Sequence, residues 1–262
     1  MANRILEELL RFDFGRFYRR VKRQTNMTSD TLPGGWQQFL AKTYRHYERL
    51  PSEPKLSFNR AAQFFLANAR ITGIETDATD DLRVLVASSA VTLSFGWPGY
   101  EWRQLTEVLL YPVTFDRDFN FGGRDCAGMV DRWGTVILSV PALLHSFRHP
   151  DDPYHVGLHE FAHLLDLGRS RPNGIPPGLT LPQTRQWVEI QRTEMEDLRT
   201  GRSILEPYGM SSEVEFFAVS VETFFQTPVA MQSRHPSLYS FLSEYFGQDP
   251  ACWERAMATI VD

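Results

Sequence analysis

The sequence predicts an α+β fold, and three observations carry the prediction. Helical patterns fill most of the first hundred residues, three strand-like stretches, two of them joined as a hairpin, occupy 107–140, and helical patterns return after Asp151. Ile5, Leu6, Leu9, Leu10, Phe12, Phe14 and Phe17, set among arginines, give residues 1–30 an amphipathic, mildly basic pattern that suits packing against the domain, with a membrane-surface or partner-binding helix as the alternative. Residues 24–33 read as a linker, and helices are expected at about 34–49, 56–71 and 86–95. Glu107–Phe115 reads as a strand. Ala127–Asp131 and Thr135–Val140, joined through Arg132-Trp133-Gly134, read as a hairpin. Asp151-Asp152-Pro153 offers an N-cap and a first-turn proline for a helix over Tyr154–Leu167, which Gly168 can end. The next stretch, 168–183, is a long loop beside that helix, either a lid or a plain surface excursion. Helices at about 184–199, 212–226, 236–247 and 250–260 complete the chain.

The helix over Tyr154–Leu167 carries His159-Glu160-Phe161-Ala162-His163. Two histidines four apart lie one turn above one another on one face, so both imidazoles can reach a single zinc ion. Glu160 is then placed to act as the base for a metal-bound water. Leu158, Phe161, Ala162 and Leu165 line the other side, so the helix is buried apart from its metal face. His155 extends the ladder, but it stands about 12 Å along the axis from His163, too far to share an ion. It reads as an entrance residue or one that supports a ligand.

A third ligand must come from elsewhere. The metzincin arrangement would require a histidine at position 169, which is Arg169, with Asp166 in place of its glycine. The acidic segment from Tyr208 to Phe225 is the main source of candidates. Ser211 or Ser212 can cap a helix there, on which Glu215 and Glu222 share a face and Glu213 points elsewhere. A glutamate on so apolar a helix is either exposed or held by something specific.

The pairing of His159-Glu-Phe-Ala-His-Leu-Leu-Asp166 with Tyr208-Gly-x-x-x-Glu213-x-Glu215-Phe-Phe-Ala218 resembles the Mlc-titration-factor-A family of bacterial zinc peptidases. The same segments are similar to the catalytic domain of anthrax lethal factor. The likeness to the first family continues through Leu32-Pro33, Leu110-Tyr111-Pro112, Val136-Ile137-Leu138-Ser139, Pro236-Ser-Leu-Tyr239 and Gln248-Asp-Pro250, covering about residues 32–250. It implies one Zn²⁺ per chain held by His159, His163 and Glu215, with Glu160 as general base. It also implies that Tyr208 points into the site, where a protonated phenol can donate to an oxyanion. Asp166 and Glu222 are placed to accept the second ring N–H of a zinc-bound histidine, or else to pair with an arginine such as Arg169 or Arg185.

The implied fold is a zincin-like metallopeptidase core with a small mixed sheet and an N-terminal helical region. Residues 1–30 would be an amphipathic segment and 31–262 one domain, divided into a helical part at 31–105 and a catalytic core at 106–262. In such folds the strand before the metal helix, here the one ending at Val140, edges the cleft and binds an extended peptide by β-addition. The implied activity is aminopeptidase-type cleavage of short peptides. The family is also named for inactivating a transcriptional repressor, so a regulatory protein that sequesters such a partner on a zinc scaffold is the second expectation. Two departures lie near the entrance: Val140-Pro141 replaces a common tryptophan, and His155 replaces a common asparagine.

Composition narrows the setting. A net charge of −5 points away from a nucleic-acid surface, and no run approaches membrane-spanning length. The two cysteines, Cys126 and Cys252, lack metal spacing and suit a reducing compartment, and no secretory signal is seen, so a cytoplasmic location is expected.

Overall fold

A computed structural model describes residues 31–122, 126–168 and 172–261 of the chain. The amphipathic segment expected at 1–30 lies outside the described residues. The single helix expected over 34–49 is two, α1 (Gly34–Thr43) and α2 (Arg45–Arg49). Tyr44 between them is extended, which turns its ring into the core and lets its hydroxyl bond Thr92 Oγ1 at 2.9 Å. Helix α3 (Ser52–Asn68) starts earlier than expected because Pro54 falls in the first turn, where a missing N–H costs nothing. Helix α4 (Asp80–Ser94) also starts early. Thr79 caps it by accepting from Leu82 N, and Asp80 and Asp81 meet the positive end of its dipole.

A four-stranded sheet runs in the order β1-β2-β4-β3, with β1 (Ile71–Gly73), β2 (Glu107–Tyr111), β3 (Gly128–Val130) and β4 (Thr135–Ser139). Strands β1, β2 and β4 are parallel, and β3 pairs antiparallel with β4, Gly128 facing Leu138. Strand β1 was not foreseen, since three residues show no period. Strand β2 stops at Tyr111 because Pro112 follows; Phe115 rejoins only through bridges to Phe121 and Cys126. The expected edge strand needs correcting. Strand β4 lies between β2 and β3, so the strand that edges the sheet beside the histidine helix is β3. Val140 and Pro141 belong instead to the unforeseen helix α5 (Val140–Arg148), with the proline in its first turn.

The histidine helix, α6 (Val156–Leu167), begins later than expected and with another cap. His155 Nδ1 accepts from Leu158 N at 3.2 Å, while Asp152 accepts from Tyr154 N. His155 is fully buried, so its expected place at an entrance is overturned. Gly157 lets α6 approach α4, because a Cβ there would collide with the Ser89 side chain. Helix α7 (Leu181–Arg199) starts at a capping box of Thr180 and Gln183, shortening the loop before it. A 3₁₀ turn (Pro207–Met210) leads to α8 (Glu213–Gln226), and α9 (Pro228–Arg234), α10 (Pro236–Phe246) and α11 (Pro250–Val261) follow. One continuous apolar core joins these helices to one face of the sheet, with Leu158, Phe161, Phe216 and Phe217 fully buried within it.

Two histidines share that core. Burial pushes His46 and His155 down to about 3, with the Arg49 charge adding to the effect at His46. An unfolded histidine titrates near about 6.5, so between these values the unfolded chain binds more protons. Their contribution to stability is therefore whole above about pH 6.5 and is lost as pH falls towards 3. The thermal midpoint should drop across that window, and His46→Gln should flatten the drop. Equal slopes for the two proteins would refute the assignment to His46.

Candidate metal centre

The site is assembled by two helices. Helix α6 presents His159 and His163 one turn apart, and α8 presents Glu215 from its first turn. The local sequence explains the second placement: Ser212 Oγ accepts from Glu215 N at 3.2 Å, capping α8 and setting its phase. In that phase Glu213 is exposed and Glu215 turns towards α6.

The two imidazole Nε2 atoms lie 3.0 Å apart, and Glu215 Oε2 stands 3.1 Å from one and 3.2 Å from the other. Hydrogen bonding explains this triangle poorly. Glu215 Oε2 is buried and the nitrogens approach it without hydrogen-bond direction, leaving it unsatisfied. A tetrahedral zinc ion with bonds of about 2.0–2.1 Å needs donors about 3.3 Å apart. The three donors therefore fit a metal. Among the described residues they are the only His, Cys, Asp or Glu group that converges in this way.

Electrostatics points the same way. His159 is held well above its ordinary value although burial opposes this, because the carboxylates of Glu222, Glu215 and Glu160 outweigh it. Glu215 is held well below the carboxylate range: burial raises it, but His159 and His163 outweigh burial. A position that stabilises positive charge on an imidazole is equally suited to a cation between the imidazoles.

Glu222 takes the position from which a carboxylate orients a ligand. His159 Nδ1 donates to its Oε1 at 2.7 Å, and His155 N donates to its Oε2 at 2.5 Å. With Nδ1–H engaged, His159 turns the lone pair of Nε2 towards His163 and Glu215. Asp166 is engaged differently. Its Oδ2 accepts from Asn173 N at 3.0 Å and Gly174 N at 2.8 Å, and Trp187 Nε1 donates to Gly174 O at 2.8 Å. Asp166 thus ties down part of the 168–183 loop, rather than orienting a histidine.

Glu160 is buried next to His159, and burial raises its carboxyl; His159 and His163 pull it down while Glu215 and Glu222 add to the rise. Tyr208, on the 3₁₀ turn, lies with its ring 6.1 Å from that of His159 and its hydroxyl within reach of the Glu215 carboxylate. Partial burial raises its phenol, and the charges of Glu215 and Glu160 raise it further. Two neighbours were missed from the sequence. Tyr154 is within electrostatic reach of Glu222, Glu160 and Tyr208, and Arg117 within reach of Tyr208. Nothing local marks either residue, since both arrive through loop geometry.

Comparison with known proteins agrees with this architecture. The model of a family described as glucose-regulated metallo-peptidase M90 matches residues 18–247. Mlc titration factor A of Cronobacter sakazakii is 28% identical over 251 residues, covering 87% of this chain and 91% of the relative. Mlc titration factor A of Escherichia fergusonii is 28% identical over 253 residues, with the same coverage of 87% and 91%. An uncharacterized protein of Synechocystis sp. is 26% identical over 244 residues, covering 87% of this chain and 89% of its own.

Proposed function

The chain belongs to the glucose-regulated metallo-peptidase M90 family, and from that premise we propose that it is a zinc-dependent peptidase acting on short peptides. The observation that carries this reading is the triangle of His159 Nε2, His163 Nε2 and Glu215 Oε2 at 3.0–3.2 Å, with the Glu160 carboxyl on the same helix. These three residues would hold the ion. Bound there, zinc supplies a Lewis acid that polarises a carbonyl and brings the pKa of a water towards about 7.

The chain's own groups supply the rest. Glu160 takes the proton of the attacking water and passes it to the leaving amine, and the raised affinity that burial gives its carboxyl suits both tasks. Tyr208 stays protonated near neutral pH and donates to the oxyanion that develops on the substrate. Glu222 keeps His159 in the ligating tautomer. Strand β3, at the sheet edge beside α6, offers backbone groups to an extended peptide. Aminopeptidase-type cleavage is supported by the family resemblance in the metal segments. A cytoplasmic setting is proposed from the cysteine usage; among the described residues no helix is long and apolar enough to cross a membrane.

A second reading has one observation in its favour. The relatives named Mlc titration factor A are, by that name, titrants of Mlc, and this chain would in the same way sequester a transcriptional repressor on a zinc scaffold. One experiment separates the two. Elemental analysis should find about one zinc per chain, and a broad panel of short peptides should reveal zinc-dependent hydrolysis. Zinc without hydrolysis of any peptide favours the scaffold, and failure to bind zinc at all sinks both readings.

A further inference from the structure

We propose that Gly128 is a positioning residue for Glu160: the edge strand lacks a side chain at this point so that the Glu160 carboxyl can occupy the space where one would stand. The inference rests on the reading of Glu160 as the base, and it adds a residue that no motif in the sequence marks.

Gly128 opens β3, a place where glycine is costly. It forfeits backbone entropy on folding and offers no side chain to pack in the sheet. Its φ is not in the left-handed region, so the backbone there would accept any L-residue. Space is the remaining reason. A Cβ on Gly128 would stand 2.5 Å from Glu160 Oε1, 2.6 Å from its Cγ and 2.8 Å from its Cδ. All three nearest atoms belong to that one side chain.

What would yield to an added methyl follows from what surrounds the pair. Strand β3 is held to β4 through the Gly128–Leu138 pairing, and Ser139 N donates to Ala127 O at 2.8 Å. Helix α6 is fixed by its buried apolar face and by the close approach at Gly157. The strand and the helix are both anchored, so the Glu160 side chain must move. It has little room in a buried setting, and moving it takes the carboxyl away from the centre formed by His159, His163 and Glu215. A shift of about 1 Å in a reacting group is enough to cost on the order of 10²-fold in rate.

The test uses Gly128→Ala, Glu160→Ala and the double variant, each as the full-length purified protein. Thermal midpoints form a cycle that needs no activity. Gly128→Ala should lower the midpoint by about 2–6 °C when Glu160 is present and by less than about 1 °C in the Glu160→Ala background. Zinc content of Gly128→Ala should stay at the wild-type value, because no ligand is touched. Peptide hydrolysis should lose about 10²-fold in kcat with KM within about threefold. An equal loss of midpoint in both backgrounds would place the glycine requirement in the strand itself and overturn the proposal. Coupled midpoints with unchanged kcat would overturn it as well, since the contact would then not set the base. If Gly128→Ala fails to fold, recovery of folding in the double variant supports the contact and continued failure refutes it. Full activity in Glu160→Gln, by contrast, would remove the premise about the base whatever Gly128 does.

Discussion

Glu160→Gln is expected to keep the zinc and the fold while lowering peptide hydrolysis by at least about 10²-fold, the usual scale for losing a group that takes and returns a proton. The amide matches the carboxyl in size, so the tight fit against Gly128 is preserved. His159, His163 and Glu215 are untouched. What is lost is a buried group that can hold a proton and release it. Tyr208→Phe should behave similarly in metal content and cost roughly 10²-fold or more, because a single oxyanion donor is removed. Zinc titration and steady-state kinetics on the same preparations separate binding from chemistry. Hydrolysis that survives both substitutions would mean that the mechanism is wrong even with the metal in place.

Glu215→Ala should carry the second large effect, on the metal itself. Removing one of three protein donors leaves two imidazoles 3.0 Å apart at Nε2 with no anion to complete the set. Zinc affinity should fall by several orders of magnitude and hydrolysis should fall with it. Glu213→Ala is the control: Glu213 is exposed at the start of the same helix, and its side chain has no part in the triangle. Competition with a chelator of known affinity reads both variants. Comparable losses from the two would show that the helical phase assigned to α8 is mistaken. Retention of tight zinc by Glu215→Ala would hand the third position to another residue.

The candidate donors were legible because they depend on local periodicity. Spacing of four on a helix brings two imidazoles to one ion wherever that helix sits, and the glutamate between them follows from the same turn geometry. Glu215 was legible in a weaker sense: the period of α8 separates it from Glu213 but leaves Glu222 on the same face. The family resemblance made the choice there. In the structure Glu215 Oε2 approaches the imidazole Nε2 atoms, while Glu222 reaches His159 from the Nδ1 side and meets His155 N.

Other features were beyond local reasoning. Helix α4 could have been started correctly, since Thr79-Asp80-Asp81 is a readable capping signal. The break at Tyr44 could not, because the extended Tyr44 places its ring in the core and its hydroxyl on Thr92, 48 residues away. Of the two readings of His155, an entrance residue or one that supports a ligand, burial overturns the first, since His155 caps α6 from a fully buried position.

By itself the sequence determined the mixed α+β class, the histidine helix and the apolar faces that bury it, because each is set by contacts within a few turns or within one strand. Tertiary structure alone decided which strand forms the edge, which carboxylate serves which partner, and why Gly128 is a glycine. Strand order depends on pairings between distant segments. Asp166 and Glu222 are both carboxylates on helix faces near the histidines, and only the packing of α6 against α8 and against the 172–180 stretch sends one to a loop and the other to His159. A glycine with an unremarkable φ gives no local reason for its presence. The reason is the carboxyl that fills the space beside it, brought there from another element of the fold.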